Sequence, residues 1–96
     1  MADSNLLHLE EEDWSILCSI LQKYSASFYA YGSRVKGTHK KFSDIDLCYK
    51  GEVDDFEIWD QLIESDIQVK VDIRDFNKID DSFKKHIAKD LILLQL

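Results

Sequence analysis

The sequence predicts a small α/β domain in which helices cover one face of a single sheet. Two segments alternate apolar and polar side chains, as half-buried strands do. The segments around them repeat their apolar residues every three or four positions, as amphipathic helices do. The resulting order, α-β-α-β-α-β-α, favours a helical layer packed on a sheet. A length of 96 residues, with 45% apolar content and no proline, predicts one compact domain covering 1–96.

The first half of the chain predicts a helix, a strand and a short second helix. The first helix covers residues 10–24, and its start is acidic, which the helix dipole favours. Its apolar side chains recur at helical spacing and are Trp14, Leu17, Leu21 and Tyr24. Residues 27–31, SFYAY, are rich in strand formers and predict a strand that ends at Gly32. A short helix over 33–37 and a loop to residue 43 follow.

The second half predicts two further strands and two further helices. The segment DIDLCYK, 44–50, alternates and predicts the second strand. Asp54 begins a capping pattern, and the helix after it has an apolar stripe of Phe56, Trp59, Leu62 and Ile63. Alternation over 67–74 predicts the third strand, and apolar spacing over 79–87 predicts the last helix. The closing LILL predicts a final extended segment.

Charge is unevenly distributed along the chain. The net charge of −7 argues against a binder of duplex nucleic acid, because its surface would repel phosphates. Four cations nevertheless fall within eight residues, and they are Arg34, Lys36, Lys40 and Lys41. A local basic loop in an acidic protein suits a small polyphosphate. The alternative is an ordinary solvated loop.

The apolar clusters are far shorter than the ~20 residues that a membrane span needs. The opening of the chain has no signal-peptide pattern. We therefore expect a cytoplasmic protein with no membrane association. Cys18 and Cys48 lie in apolar settings without metal-binding spacing, so they predict reduced core thiols.

Three aspartates are predicted to converge on the sheet face that the helices leave open. Asp44 and Asp46 project from the second strand, and Asp72 projects from the third. Residues i and i+2 lie about 6.5 Å apart on a strand, and neighbouring strands are about 4.8 Å apart. Converging carboxylates repel one another unless cations are present. Magnesium, bound by one or two carboxylates and by substrate phosphates, would supply that charge. The alternative is that Lys70 and Arg74 pair with these aspartates.

A turn before the second strand adds to this pattern. Gly32 and Ser33 lie where a strand is predicted to end and a helix to begin, so backbone N–H groups would face an incoming anion. Ser33 can add a hydroxyl hydrogen bond. A Gly-Ser pair alone indicates only a turn. A phosphate-binding turn followed ten residues later by paired carboxylates is more specific.

GSRVKG, then SDIDL, then VDI resembles the nucleotidyltransferase superfamily of DNA polymerase beta, over most of the chain. More narrowly, it resembles the small stand-alone minimal nucleotidyltransferases, or MNT proteins. The resemblance implies a mixed sheet with the palm-like nucleotidyltransferase fold. It also implies that Asp44 and Asp46 bind two Mg²⁺ ions, with Mn²⁺ as an alternative, that hold a nucleoside triphosphate. Asp72 would be the third ligand and the candidate base.

The same resemblance implies that Gly32 and Ser33 hold the phosphates. Arg34 matches the common arginine after Gly-Ser, and either phosphate binding or internal pairing would suit it. Which of Lys36, Lys40 and Lys41 contacts phosphate stays open. With 96 residues leaving no room for an acceptor-binding domain, we expect a small substrate or an acceptor surface supplied by a partner.

The implied activity is transfer of a nucleoside monophosphate, AMP from ATP, to a hydroxyl of a partner macromolecule. In the family, MNT proteins are often encoded beside a helical partner called HEPN, in a pair resembling a toxin–antitoxin system. The alternative is a non-catalytic protein that silences such a partner by contact, through Leu6, Leu7, Trp14 or the terminal LILLQL. Those residues would otherwise be ordinary core. The sequence leaves homo- and hetero-oligomers open.

Overall fold

A computed structural model describes residues 6–96. Its helices are α1 (Glu11–Leu21), α2 (Ser33–Lys36), α3 (Asp55–Glu64) and α4 (Asp81–Ile87). Its strands are β1 (Ser27–Tyr31), β2 (Ile45–Lys50), β3 (Val71–Asp75) and β4 (Ile92–Leu93). Short 3-10 turns cover Phe76–Lys78 and Ala88–Asp90. The predicted order of elements is confirmed, and the closing extended segment forms β4.

The four strands form one mixed sheet in the order β3-β2-β1-β4. β1 is antiparallel to both β2 and β4, whereas β2 and β3 are parallel. The mixed sheet implied by the family resemblance is therefore present. Because β2 and β3 run in the same direction, their first residues meet at one edge of the sheet, next to the C-terminal end of β1.

One face of the sheet packs against α1 and α3 and forms the main core. The side chains that are fully buried here come from both helices, from β1 and β2 and from the segment before α1. The largest of them are Phe28, Leu7, Leu17, Leu21, Ile45, Leu47 and Ile58. Full burial of one such side chain contributes about 1.5–3 kcal/mol, so this layer fixes the sheet that carries the site.

The opposite face of the sheet is not free of helices, which corrects the predicted one-sided arrangement. Ile87 of α4 is buried against Tyr31 and Cys48, and Phe83 packs at the edge of the same cluster. β1 and β2 place large aromatic and thiol side chains on this face, and α4 removes them from water. The last helix therefore lies beside the predicted site.

The buried stripe of α3 also differs from the prediction. The helix begins after Asp54, whose side chain accepts a hydrogen bond from the Phe56 N–H, so the predicted cap is present. Ile58 and Leu62 are the residues of α3 buried in the core. Phe56 and Ile63, by contrast, are 78% and 73% exposed. Sequence spacing alone had placed them on the buried face.

Residues considered for a contact surface are divided between core and surface. Leu7 and Trp14 are buried, as expected of core residues, whereas Leu6, Leu93 and Leu96 are between 38% and 46% exposed. Cys18 and Cys48 are both free thiols, as predicted. Within residues 6–96, no helix has the length and apolar character needed to cross a bilayer.

Candidate active site

The strand register brings two of the three predicted aspartates together. Asp46 of β2 is directly opposite Asp72 of the parallel strand β3. On its other side, Asp46 is opposite Tyr31 of the antiparallel strand β1. Cross-strand partners point to the same face of a sheet. Tyr31, Asp46 and Asp72 therefore form a row across three strands, on the face where α4 lies.

The third aspartate, Asp44, immediately precedes β2 and is exposed. It lies two residues before Asp46 and outside the strand, which begins at Ile45, so it does not project from β2 as predicted. Asp44 is nonetheless close enough to act on its neighbour. Burial, together with the negative charges of Asp72 and Asp44, raises the pKa of Asp46, and Arg74 partly opposes this effect. The site thus holds carboxylates whose repulsion is only partly relieved.

Gly32 fits closely against Asp46. Its φ of 86° is a conformation that residues with a side chain rarely adopt. A Cβ added here would overlap the Oδ2 atom of Asp46 and come within 3.2 Å of its Cγ. The glycine therefore serves two purposes, because it makes the turn after β1 and leaves room for the carboxylate. The predicted juxtaposition of the Gly-Ser turn with the aspartates is present in the fold.

The single helical turn α2 begins at Ser33, next to these carboxylates. The N–H groups of Val35 and Lys36 both donate to the Gly32 carbonyl. The N–H groups at the very start of a helix have no partner within it, which leaves them for an anion. Lys36 forms an ion pair of 3.5 Å with Asp90. Of the basic loop residues, Lys36 is the one that lines the cleft beside Asp46.

Arg34 occupies the interior rather than the cleft, so of the two roles considered for it the structure supports internal pairing and not nucleotide binding. Its side chain is 3% exposed. The guanidinium donates to backbone carbonyls on two sides, at distances of 3.0–3.2 Å. The accepting residues are Ser43, Leu7, His8 and Lys41. Because it ties the loop before Asp44 to the segment before α1, Arg34 has the internal pairing role that the sequence had left open.

Replacing Arg34 by Met should lower the free energy of unfolding by about 3 kcal/mol, because several buried carbonyls lose their donor. Urea unfolding followed by circular dichroism measures this loss. Lys40→Met, on the exposed part of the same loop, is the matched control and should change stability by about 0.5 kcal/mol or less. Equal losses in the two variants would contradict the role assigned to Arg34.

The site contains one of the two ion pairs considered from the sequence. Arg74 Nε lies 3.1 Å from Asp72 Oδ2, and both side chains are partly exposed. Lys70 precedes β3 and has no ion pair in the part of the chain that the structure describes. Pairing of Arg74 with Asp72 and a role for Asp72 in catalysis are compatible, because an exposed pair can exchange partners.

A cleft of about 240 Å³ opens over this row of side chains. The sheet and the first turn supply one side of it, through Tyr31, Gly32, Asp46, Asp72, Arg74 and Lys36. The C-terminal region supplies the other, through Phe83, His86, Ile87 and Asp90. Alternation within β1 could have identified Tyr31. The residues of α4 had no sequence signal, because their placement depends on the docking of that helix.

Tyr31 is the uncharged member of the row. Burial raises the pKa of Tyr31 to about 12, and Asp46 and Asp72 act in the same direction against Arg74. The phenol therefore stays protonated and can only donate or accept a hydrogen bond. Its ring meets the ring of Phe83 edge to face, with centroids 5.8 Å apart, so it also connects the row to α4.

A larger cleft, of about 720 Å³, lies elsewhere, between the start of α1 and the loop around His39. Its lining carries charges of both signs, including Glu10, Asp13 and Lys41. None of the three aspartates lines it. We place the candidate site in the smaller cleft, since that is where Gly32, Asp46 and Asp72 meet.

The donor set of the smaller cleft suits a hard divalent cation. Asp46 and Asp72 offer carboxylate oxygens, and Gly32 leaves space beside one of them. Within residues 6–96, no three His, Cys, Asp or Glu side chains are close enough together to hold an ion. A pair of carboxylates is nevertheless sufficient for Mg²⁺ when phosphates and water complete the octahedron. The arrangement therefore fits a metal that arrives with a phosphorylated ligand.

Two comparisons bear on this geometry. The family model described as "Polymerase beta, Nucleotidyltransferase" matches residues 6–95. A Haemophilus influenzae protein described as a probable protein adenylyltransferase, MntA, is 35% identical over 96 residues. The match covers 93% of this chain and 84% of that protein. The family match spans the whole region that forms the cleft.

Proposed function

Because the chain belongs to the minimal nucleotidyltransferases of the polymerase beta family, we propose that it transfers AMP from ATP to a hydroxyl of a protein partner. The observation that carries the proposal is the register of Asp46 with Asp72. Beside Asp46 lies Gly32, and only a glycine at this position leaves room for the Asp46 carboxylate. The family supports the transferase class. The Haemophilus relative, described as a probable protein adenylyltransferase, supports AMP as the group and protein as the acceptor.

In this proposal, Asp46 and Asp72 are the pair of carboxylates that would hold Mg²⁺, with Mn²⁺ as the alternative. Asp44, which does not line the cleft, would join them as a further ligand once metal and nucleotide are bound. When bound, such ions neutralise the triphosphate and stabilise charge on the oxygens of an in-line displacement. The turn at Gly32 and Ser33 binds phosphate oxygens through backbone N–H groups and the serine hydroxyl. Lys36, which lines the same cleft, adds positive charge beside the leaving pyrophosphate.

In the proposal, Asp72 accepts the proton of the attacking hydroxyl. One of its oxygens is bonded to Arg74, which leaves the other oxygen for this task. As the acceptor oxygen forms a bond to the α-phosphorus, the bond to the bridging oxygen breaks and pyrophosphate leaves. The proton of the hydroxyl passes to the carboxylate. The partner must position its hydroxyl in line with the leaving group, and such positioning accounts for much of the rate in phosphoryl transfer.

The partner in this proposal is a helical protein of the HEPN type, and the pair acts as a toxin and its antitoxin in the cytoplasm. The support is the family membership, because the surface of the cleft itself does not specify an acceptor. A net charge of −7 also disfavours a general nucleic-acid substrate.

A second candidate function is silencing of a partner by contact alone. The observation that favours it is the exposed face of α3, where Phe56 and Ile63 are 78% and 73% exposed. Large apolar side chains on one helix face are typical of contact surfaces. Substitution of all three aspartates by alanine separates the two functions. A binding protein would still neutralise its partner after that change, whereas the enzyme would not.

With α-labelled ATP, Mg²⁺ and the protein encoded next to this one, label should become covalently attached to that protein. Asp44→Ala should abolish the labelling, because it removes a carboxylate from the site. Asp60→Ala, an exposed change on α3, is the matched control and should leave labelling intact. Label on a small molecule or a tRNA end, with the neighbouring protein unmodified, would overturn the acceptor. An absence of label on any acceptor would overturn the transfer itself.

A further inference from the structure

We propose that Arg74 holds Asp72 in the absence of nucleotide and thereby couples metal loading to nucleotide binding. The inference rests on the proposed function, because it concerns the same carboxylates. Arg74 Nε donates to Asp72 Oδ2 at 3.1 Å. The two residues are separated by one position on β3, so both side chains lie on the face of the cleft. While Arg74 holds it, that oxygen is less available to an ion, because the guanidinium occupies one of its lone pairs and adds positive charge beside it.

A second contact fixes the position of the Arg74 guanidinium. Its central carbon lies 5.6 Å from the centroid of the Phe83 ring, on α4. The guanidinium is thus held between a carboxylate on the sheet and an aromatic face on the helix. If Asp72 turns toward a cation, Phe83 can keep Arg74 over the cleft. There its N–H groups would meet phosphate oxygens, which guanidinium binds well.

Charge explains why metal and nucleotide should bind together. A divalent cation arriving alone must break the pair of Arg74 with Asp72 and then remain beside the released guanidinium. Both effects weaken its binding. A triphosphate arriving with the metal gives Arg74 a new partner of opposite charge, which removes the penalty. By thermodynamic linkage, the factor by which bound nucleotide raises the affinity for metal equals the factor by which bound metal raises the affinity for nucleotide.

Lys36 provides the comparison that isolates the role of the pair. It lines the same cleft and carries the same charge, but its ion pair is with Asp90, which lies outside the row of Asp46 and Asp72. If the general positive charge of the cleft limited metal binding, removing either cation would have the same effect. If the hydrogen bond to Asp72 matters, only the change at Arg74 will be large.

The test is a titration of the full chain with Mn²⁺ in the absence of nucleotide, in which electron paramagnetic resonance measures the free ion. Arg74→Gln should bind Mn²⁺ at least about fivefold more tightly than the wild type, which corresponds to an exposed pair worth about 1 kcal/mol. Lys36→Gln should change the affinity about twofold or less, as expected for a screened surface charge. The Arg74 side chain is 51% exposed, so the variant is expected to fold. Its circular dichroism spectrum verifies this.

Unchanged Mn²⁺ affinity in Arg74→Gln would overturn the inference and leave the proposed transferase standing. Equal tightening in Arg74→Gln and Lys36→Gln would also overturn it, because cleft charge would then account for the effect. Failure of every protein, including Arg74→Gln, to bind Mn²⁺ without nucleotide even at millimolar concentration would also overturn the inference, because loss of the pair would then not have freed Asp72 for an ion. The metal of the proposed function, which arrives with nucleotide, is tested separately by thermal melting with ATP and Mg²⁺.

Discussion

Asp46→Asn should reduce nucleotidyl transfer by at least about two orders of magnitude, while the fold survives with increased stability at neutral pH. The loss of activity follows because the amide keeps the shape of the side chain but cannot supply a carboxylate charge to a divalent ion. The gain in stability follows from the pKa of Asp46, which burial, Asp72 and Asp44 raise in the folded protein. Initial rates with labelled ATP and thermal melting measure the two effects on the same samples.

The pH dependence of that gain has a definite sign. A carboxyl whose pKa is higher in the folded than in the unfolded protein favours folding in its protonated form. Its contribution is therefore fully present below the unfolded pKa, about 3.9 for Asp, and is lost as the pH rises through the folded pKa. Asparagine stays neutral throughout. The variant should therefore exceed the wild type in stability at pH 7, and the difference should disappear in acid.

Asp60→Asn is the matched control for Asp46→Asn, because it removes the same charge from an exposed position on α3. It should leave both activity and the pH dependence of melting near those of the wild type. A loss of stability in Asp46→Asn with activity intact would show that Asp46 is a structural partner of a cation. That outcome would refute its place in the metal site.

Gly32→Ala should also abolish transfer, and it should lower the free energy of unfolding by about 2–3 kcal/mol. Two effects add. Alanine at a φ of 86° is strained, and its Cβ would overlap the Oδ2 atom of Asp46. The carboxylate would have to move away from Gly32 and from the start of α2, and so leave the position in which it could hold an ion. Activity assays and urea unfolding measure the result.

Gly37→Ala separates the two effects of Gly32→Ala. Its φ of 78° is equally unfavourable for alanine, but an added Cβ would meet no atom within 4 Å. It should therefore lose only the backbone part, about 1 kcal/mol, and keep its activity. In an Asp46→Ala background, Gly32→Ala should lower the free energy of unfolding only by the backbone part, because the carboxylate that the new Cβ would overlap is absent. Similar behaviour of the two glycine variants would contradict the contact between Gly32 and Asp46.

The sequence predicted those parts of the fold that depend on local periodicity. The predicted strand 27–31 coincides with β1 (Ser27–Tyr31). The alternation around Asp46 and Asp72 predicted the two strands that carry them, and these strands are neighbours in the sheet. Boundaries were less accurate where loops are held by tertiary contacts. The predicted strand 67–74 begins only at Val71, because the Gln68 N–H donates to the buried Asp13 carboxylate instead of to a neighbouring strand.

The parts that were missed depend on contacts between distant segments. Arg34 follows the Gly-Ser turn and carries a charge, so its burial among backbone carbonyls gave no local signal. The position of α4 on the second face of the sheet, with Phe83 over Arg74, likewise depends on tertiary docking. In α3, helical spacing could not show which flank meets the core, and Ile63 proved to be exposed.

Thermal melting with ATP tests the central claim, that the cleft at Asp46 and Asp72 binds a nucleoside triphosphate together with a divalent metal. At a hundredfold excess over Kd, a ligand that binds only the folded protein stabilises it by about 2.7 kcal/mol, which raises the melting temperature of a domain of this size by about 10 to 20 °C. With ATP and Mg²⁺ we predict such a rise in the wild type and not in Asp46→Asn, and its disappearance when EDTA is added. An equal rise with and without metal would contradict the account.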